Sequence, residues 1–520
     1  MCGIAAIFAN GSEHIVLQHG VRTILDKLRH RGYSHCEIDT GAGWAMGTNR
    51  LPIVGRDSGH QPCYSADGQI LGVLNGEIYN YRELRRILQW SGYSFKTDTD
   101  TEVMVNAFHR WGAAAFQMFD GMFAAILYDK GKAQHVVARD PLGIKPLYYC
   151  EHDGIRHYAS EIKALVHLDQ TVHEFPPGSF SVQGQVEQSC FQTMPEALPG
   201  NFQDCARRLK AHLSQAVRKR VQTRLPIAVF LSGGIDSGAI LYEAVRHHDN
   251  VTAFTIGLDE APDVLGAKAL CETLNVPLVH VTTSEEQLLE LVPEVISTIE
   301  SFEPNHIRGG ALSWLLAREV QKQGFRIALC GEGADELFGG YDEFVLRLES
   351  PGGREQLPAL FDTFIHQLHR TQLQRVDRTS MRFTIETRVP FLDRRILDFV
   401  AALPMDYRLR HSADGVVTKA ILRQAYRGIL PDETVERQKI VLSLGAGYGS
   451  NGPEGVFYQQ GEKLMEQDEF ERWRQAYPQY HLRSREEAWY FSLFIRQFHH
   501  ARFAAHRPTV NTTGEHAHAA

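Results

Sequence analysis

The chain has 520 residues, 43% of them apolar and 22% charged, the balance of a globular protein with material for more than one domain. Its formal net charge of −8 argues against nucleic acid or an anionic membrane as the main partner. Eight cysteines, at 2, 36, 63, 150, 190, 205, 271 and 330, form no C-x-x-C pair, which excludes the common zinc patterns and a disulfide framework.

The start of the chain, Met1 to Phe8, is apolar but lacks the basic region of a signal peptide. No run reaches the ~18 apolar residues of a membrane span, so a reducing cytoplasm is the default setting. Up to about residue 185, short strands alternate with helices and glycine-rich turns. Strands are expected at 71–74 and 123–128, and helices at 81–88 and 102–111. Residues 186–203 hold two prolines and little periodicity and read as a linker.

Beyond the linker, strands are expected at 225–231, 251–257, 277–281 and 325–330. Helices are expected near 263–274, 285–300 and 311–323, an alternation that builds a parallel sheet. From about 355 to 505 the pattern is mostly helical. The last segment, His506–Ala520, is polar and lacks Phe, Tyr and Trp, so it reads as disordered. There is no internal repeat.

Between the strand at 225–231 and the next helical spacing lies Leu231-Ser232-Gly233-Gly234-Ile235-Asp236-Ser237. Two adjacent glycines at a strand-to-helix turn let the backbone approach an oxygen-rich ligand, and a helix N-terminus favours negative charge. Ser232 and Ser237 add hydroxyls, and Asp236 suits a magnesium ion beside a phosphate. The lysine of the G-x-x-x-x-G-K-[ST] loop is missing. The stretch resembles instead the S-G-G-x-D-S loop of ATP pyrophosphatases, which cut ATP between the α and β phosphates to adenylate a substrate. The bland alternative is an ordinary Ser/Gly-rich turn.

Cys2 becomes the first residue once Met1 is removed. It then unites a thiol with an α-amino group of pKa about 8, nucleophile and base on one residue. A Met-Cys pair alone says little. It is followed in order by Arg29-His30-Arg31-Gly32, Asn49-Arg50-Leu51-Pro52, Asn75-Gly76-Glu77-Ile78-Tyr79-Asn80 and Thr99-Asp100-Thr101-Glu102. Together these resemble the glutaminase domain of class II glutamine amidotransferases, the N-terminal-nucleophile type. The resemblance implies that Cys2 attacks the glutamine amide. Asn75 and the Gly76 N–H would form the oxyanion hole, Arg50 would grip the glutamine carboxylate, and Glu77 and Asp100 would read its ammonium. Arg139 to Tyr149 and Ala159 to Leu165 match the same domain, while Tyr33 stands where proline usually follows Arg-Gly.

A glutaminase domain followed by an S-G-G-x-D-S loop is similar to the asparagine synthetase family. Cys330-Gly331-Glu332-Gly333-Ala334-Asp335-Glu336 follows the strand at 325–330, at the carboxyl end of the sheet where ligands bind in open α/β folds. Glu386 to Asp393 resembles the family's E-x-R-x-P-F-L-D segment, and Arg437-Gln438-Lys439 its R-x-K. The resemblance implies an ATP site of Leu231, Ser232, Gly233, Gly234, Asp236, Ser237, Ile256, Cys330 and Gly331. It gives Asp236 and Asp335 to Mg²⁺, Glu332 to proton transfer from the attacking amine, Lys439 to the phosphates and Arg308 to the acceptor carboxylate. The chain departs from the family at Cys330, usually serine, at Asn305 to Leu312, where Arg308 is kept but its hydroxyl-bearing neighbours are not, and at Ile440 to Gly447.

The expected fold is α/β: an N-terminal-nucleophile αββα glutaminase sandwich over residues 2–185, of α+β type. A linker (186–203) leads to a doubly wound parallel-sheet ATP-pyrophosphatase domain with extra helices at 204–505, then the 506–520 tail. The expected activity is glutamine- and ATP-dependent amidation of a carboxylate through an acyl-adenylate, with ammonia passing through an internal tunnel. Aspartate is the leading acceptor. The rival is another carboxylic acid, on the altered 305–312 and 440–447 segments. A β-lactam-forming relative would leave the Cys2 set unexplained. A phosphoribosyl-transferring enzyme should lack Ser232–Ser237, and a non-catalytic relative should have lost key residues. The family is often a homodimer, though no stretch here shows it.

Overall fold

Cys2–Phe8 (β1) alternates its side chains between two layers, and this one strand explains most of the first half of the molecule. Ile4, Ala6 and Phe8 join Leu71, Val73, Ala124, Ile126 and Val137 in a core between two sheets. The strands after β1 are β2 (Glu37–Gly41), β3 (Trp44–Arg50), β4 (Cys63–Tyr64), β5 (Ile70–Ile78) and β6 (Gly121–Asp129). They continue with β7 (Gln134–Arg139), β8 (Tyr148–His152), β9 (Ile155–Ala159), β10 (Thr171–Glu174), β11 (Ser179–Val182) and β12 (Gln185–Gln188). One sheet runs β2-β3-β1-β9-β8-β10 and ends on Arg502–Phe503; the other runs β12-β11-β7-β6-β5-β4.

Helix α1 (His14–Lys27) packs on the outside of the first sheet, burying Leu17, Val21, Ile24 and Leu25. Helices α2 (Tyr81–Trp90), α3 (Asp100–Trp111) and α4 (Ala114–Met118) cover the outer face of the second sheet, around Leu74, Ile78, Leu84, Leu88 and Phe116. The layers are therefore helix, sheet, sheet, helix, as the αββα expectation has it.

The computed structural model describes residues 1–9, 14–33, 36–188, 194–195, 197–198, 200–413, 415–449, 452–498 and 502–503. The 506–520 tail and residues 189–193 of the expected linker lie outside these. The chain divides into two compact units: Met1–Gln192 with Met381–Thr384 and Arg496–Ala505, and Thr193–Ser380 with Ile385–Ile495. Residues 186–188, read as the opening of the linker, instead belong to β12, which pairs with β11.

The second unit opens with α5 (Phe202–Arg220), capped by the Asn201 side chain. Then come β13 (Ile227–Phe230), α6 (Ile235–His247), β14 (Val251–Ile256), α7 (Pro262–Leu274) and β15 (Leu278–Val281). Helices α8 (Glu285–Glu290), α9 (Val292–Ile299) and α10 (Pro304–Lys322) lead to β16 (Ile327–Leu329) and α11 (Ala334–Phe338), and Glu386–Arg388 is β17. All five strands are parallel, in the order β15-β14-β13-β16-β17. The chain winds outward from β13 to β15, then returns to lay β16 on the other side of β13. The switch point therefore lies between β13 and β16, whose carboxyl ends carry the two loops singled out above.

Three elements differ from their sequence reading. The 285–300 helix is broken at Leu291 because Pro293 opens a second helix. α10 starts at Pro304, well before 311, since Gly309 and Gly310 lie inside a buried helix rather than breaking it. A Cβ at Gly310 would meet Ile299 Cδ1 at 2.2 Å, so the glycine permits close packing of α10 on α9. Within the expected helical region, β17 joins the sheet, and Arg410–Ser412 pairs with Gly415–Val417. Among the described residues no helix is long and apolar enough to cross a membrane.

Two candidate active sites

In the first unit, strand register puts Cys2 directly opposite Arg50. The Cys2 backbone N–H donates to Asn75 Oδ1 across the sandwich at 3.1 Å. The Asn75 side-chain nitrogen is buried with no hydrogen-bond partner, an unused donor on the residue that accepts from the Cys2 backbone. Gly76 has φ +144° and its Cβ would meet Met122 O at 2.0 Å, so no other residue fits. Asp100 opens α3, where its carboxylate accepts from Ile78 N at 3.0 Å and Thr101 N at 2.9 Å. The Arg50 guanidinium donates to the carbonyls of Val54, Gly55 and Gly59 at 2.7–3.1 Å.

Met1, Cys2, Arg50, Gly76, Glu77 and Asp100 surround one cavity of about 20 Å³, room for little more than a water. Met1 is part of that wall and only 1% exposed. The expected glutamine-site residues are thus brought together, with the initiator side chain among them.

Two further groups tie down Cys2. Gln61, which no motif pointed to, donates from Nε2 to Cys2 Sγ at 3.8 Å and to Thr101 Oγ1 at 3.2 Å. Arg31 donates from Nε to Cys2 O at 3.2 Å and from Nη1 to Glu161 at 2.6 Å. Glu161 also receives His30 and Lys163, so the R-H-R-G and S-E-I-K stretches meet in one buried cluster. Burial alone would raise the Glu161 carboxyl, but His30, Lys163 and Arg31 beside it hold it well below its ordinary value.

In the second unit, a cavity of about 220 Å³ opens at the switch point. Leu231, Ser232, Asp236, Ser237, Ile256, Cys330, Gly331, Glu332 and Asp335 line it, as do Arg308 and Lys439. Gly233 and Gly234 are not on this wall. Gly233, at φ +69°, lies against the Gly266 backbone, where a Cβ would come within 2.4 Å of Gly266 C. Gly234 precedes the first turn of α6, which carries Asp236 and Ser237.

Lys419, which sequence reading missed, lies 2.5 Å from Asp236 Oδ2 and 2.5 Å from Asp335 Oδ1. Lys439 reaches Asp335 Oδ2 at 2.9 Å. Burial opposes ionisation of Asp335, but Lys419 and Lys439 hold its carboxyl far below the usual range. Burial and the neighbouring Asp335 push Asp236 up despite Lys419. Burial would also lower the Lys439 ammonium, yet the two aspartates keep it above its ordinary value. Gly340 makes room for this cluster, since a Cβ there would strike Asp335 Oδ1 at 1.9 Å.

Asp236 Oδ1 is buried with no hydrogen-bond partner. Among the described residues no three acidic, histidine or cysteine groups cluster as a metal cage. Two carboxylates, one with an unmet oxygen, fit Mg²⁺, which takes few protein ligands and completes its shell with phosphate oxygens and water. Arg437 holds the loop itself, donating to Ser232 O at 2.6 Å and pairing with Asp263.

At the other end of the cavity, Glu332 pairs with Arg375 Nη2 at 2.7 Å. Arg308 lines the wall, but its guanidinium is engaged by Glu486. Neither Lys419 nor Arg375 stands in a stretch that marks it; both reach the site only through tertiary packing.

The two units and their sites define an amidotransferase coupled to a synthetase. The family model described as "Glutamine amidotransferase domain" matches residues 1–211, and the model described as "Asparagine synthase" matches residues 208–363 and 346–453. A probable glutamine-hydrolysing asparagine synthetase of Schizosaccharomyces pombe is 31% identical over 533 residues, covering 96% of this chain and 94% of that protein. Asparagine synthetase B of Escherichia coli is 31% identical over 471 residues, covering 86% of this chain and 83% of that protein. Among solved structures, a glutamine phosphoribosylpyrophosphate amidotransferase of B. subtilis is 16% identical with a TM-score of 0.31, over 54% of this chain and 65% of that one. The chain belongs to the glutamine-hydrolysing asparagine synthetase family.

Proposed function

We propose that this enzyme transfers the amide nitrogen of glutamine to a carboxylate activated as an acyl-adenylate, and that the carboxylate is the side chain of aspartate. The supporting observation is the meeting of Asp236, Asp335, Lys439 and Glu332 around one cavity at the sheet's switch point, with Lys419 paired to both aspartates.

In the first unit, the Cys2 thiolate attacks the glutamine amide carbon while Asn75 and the Gly76 N–H stabilise the oxyanion. Arg50 takes the glutamine carboxylate, and Glu77 and Asp100 its ammonium. The α-amino group of Cys2, having taken the thiol proton, delivers it to the amide nitrogen, which leaves as ammonia as the C–N bond breaks. Water then releases glutamate from the γ-glutamyl thioester. In the second, the nucleotide binds at Leu231–Ser237, Ile256, Cys330 and Gly331. Asp236 and Asp335 would hold Mg²⁺, which neutralises triphosphate charge. Lys439 steadies the charge that builds on the phosphates as the acceptor carboxylate displaces pyrophosphate. Ammonia then attacks the acyl carbon, its proton passes to Glu332, and AMP departs with the bonding pair.

Product analysis with glutamine, Mg-ATP and aspartate tests this reading. Equal amounts of asparagine and AMP are expected. Glutamate release without AMP would overturn aspartate as the acceptor and point to another carboxylic acid.

A further inference from the structure

Arg308, the arginine that the family pattern offers to the acceptor, is poorly placed to accept a ligand. It is 5% exposed and Glu486 is 1% exposed, so diverting its guanidinium would strand a buried carboxylate. Arg375 stands differently. Its Nη2 meets Glu332 at 2.7 Å and Gln372 Oε1 at 2.8 Å, and its Nη1 donates to Ser313 Oγ at 2.8 Å. All four residues line the cavity that holds Asp236 and Asp335. The Glu332 side chain is 24% exposed there, so it can turn to solvent or substrate when released.

An incoming carboxylate can replace Glu332 on the Arg375 fork like for like, without leaving a buried charge unpaired. Serine and glutamine, both neutral, would keep the guanidinium in place during the exchange. Gly309 lies alongside: a Cβ there would sit at ordinary van der Waals distance, 3.5–3.9 Å, from Arg375 Cδ, Nε and Cζ, so the arginine runs across this turn of α10.

We propose that Arg375 reads the α-carboxylate of an amino-dicarboxylic acceptor, and that the acceptor, by taking over Arg375, releases Glu332 to act as the base. This rests on the adenylation chemistry proposed above and adds to it the group that selects the acceptor. It also links the base to occupancy: Glu332 stays on Arg375 until an acceptor with a second carboxylate is seated.

The test compares aspartate with 3-aminopropanoate, which keeps the reacting carboxylate and lacks the α-carboxylate, by AMP formation in the full-length enzyme. Wild type is expected to prefer aspartate strongly. Arg375→Ala should raise the aspartate KM about 10- to 100-fold, the worth of one charge-assisted pair, while the ATP KM holds. Its preference over 3-aminopropanoate should collapse, and added guanidinium should partly restore it. Arg375→Lys, which keeps charge without the fork, should fall between the two.

Equal losses for both acceptors in Arg375→Ala and Arg375→Lys would make Arg375 structural and overturn the proposal, as would an unchanged aspartate KM. Either result leaves the proposed activity standing. Wild type that forms no AMP with aspartate would instead remove the acceptor reading and this inference with it.

Discussion

The guanidinium of Arg308 closes on the carboxylate of Glu486 at two points, Nε on Oε1 at 2.8 Å and Nη2 on Oε2. Tyr490 adds a third bond, to Oε1 at 2.8 Å. Removing one member of such a buried pair costs about 3–5 kcal/mol, because the other charge is left uncompensated. Arg308→Ala should therefore lose that much stability in urea unfolding, and Arg308→Met combined with Glu486→Leu much less. A double variant as unstable as the sum of its singles would rule out the pairing as the cause.

Cys2→Ala should abolish glutamine-dependent product and leave ammonium-dependent product intact. The thiol acts only in the first unit, while adenylation draws on residues of the second. Loss of both activities, measured as AMP release with each nitrogen donor, would refute the division of labour.

Lys419→Met removes the cation shared by Asp236 and Asp335. AMP formation should fall about 10²- to 10³-fold, the usual effect of deleting one preorganised charge, with glutaminase activity retained. An unaltered AMP rate would take Lys419 out of the nucleotide chemistry.

Burial and the Asp335 carboxylate push Glu336 up from 4.5 to about 7, and Tyr341 donates to it at 2.7 Å. A carboxyl whose folded pKa is the higher binds its proton more tightly in the native state. Stability is therefore lost as pH rises from about 4.5 through 7. Glu336→Gln keeps an acceptor for Tyr341 and removes this dependence. Its advantage in unfolding free energy, measured in urea, should grow from pH 5 to pH 8, towards at most about 3 kcal/mol. A difference that stays flat with pH would show that Glu336 does not titrate in this range.

The parts of this molecule legible in its sequence are those where chemistry and local geometry coincide. Gly76 must be glycine for its backbone, and it adjoins Asn75, so strand and site announce themselves together. The Leu231–Ser237 loop is legible for the same reason. Lys419 is not: its φ of +53° and its place before a short helix give no local signal, and only the fold carries it to Asp236. Arg375 and Gln61 are hidden likewise. The start of α10 was not legible, because a glycine such as Gly310 that serves close packing on Ile299 looks in a sequence like one that ends a helix. Arg308 was legible as the residue kept from the family's segment, but its partner Glu486 lies 178 positions away.

Cys2–Phe8 lies between Trp44–Arg50 and Ile155–Ala159 in its sheet, and Met1 ends up 1% exposed. During synthesis Cys2–Phe8 thus waits for a neighbour made some 150 residues later. At synthesis rates of about 5–20 residues per second, that interval lasts on the order of ten seconds. An aminopeptidase has that window in which to reach Met1, and once the sheet closes the end is sealed. With Cys2 in its proposed role, the share of molecules carrying it at a free amino end would depend on whether Met1 is trimmed before this sheet closes.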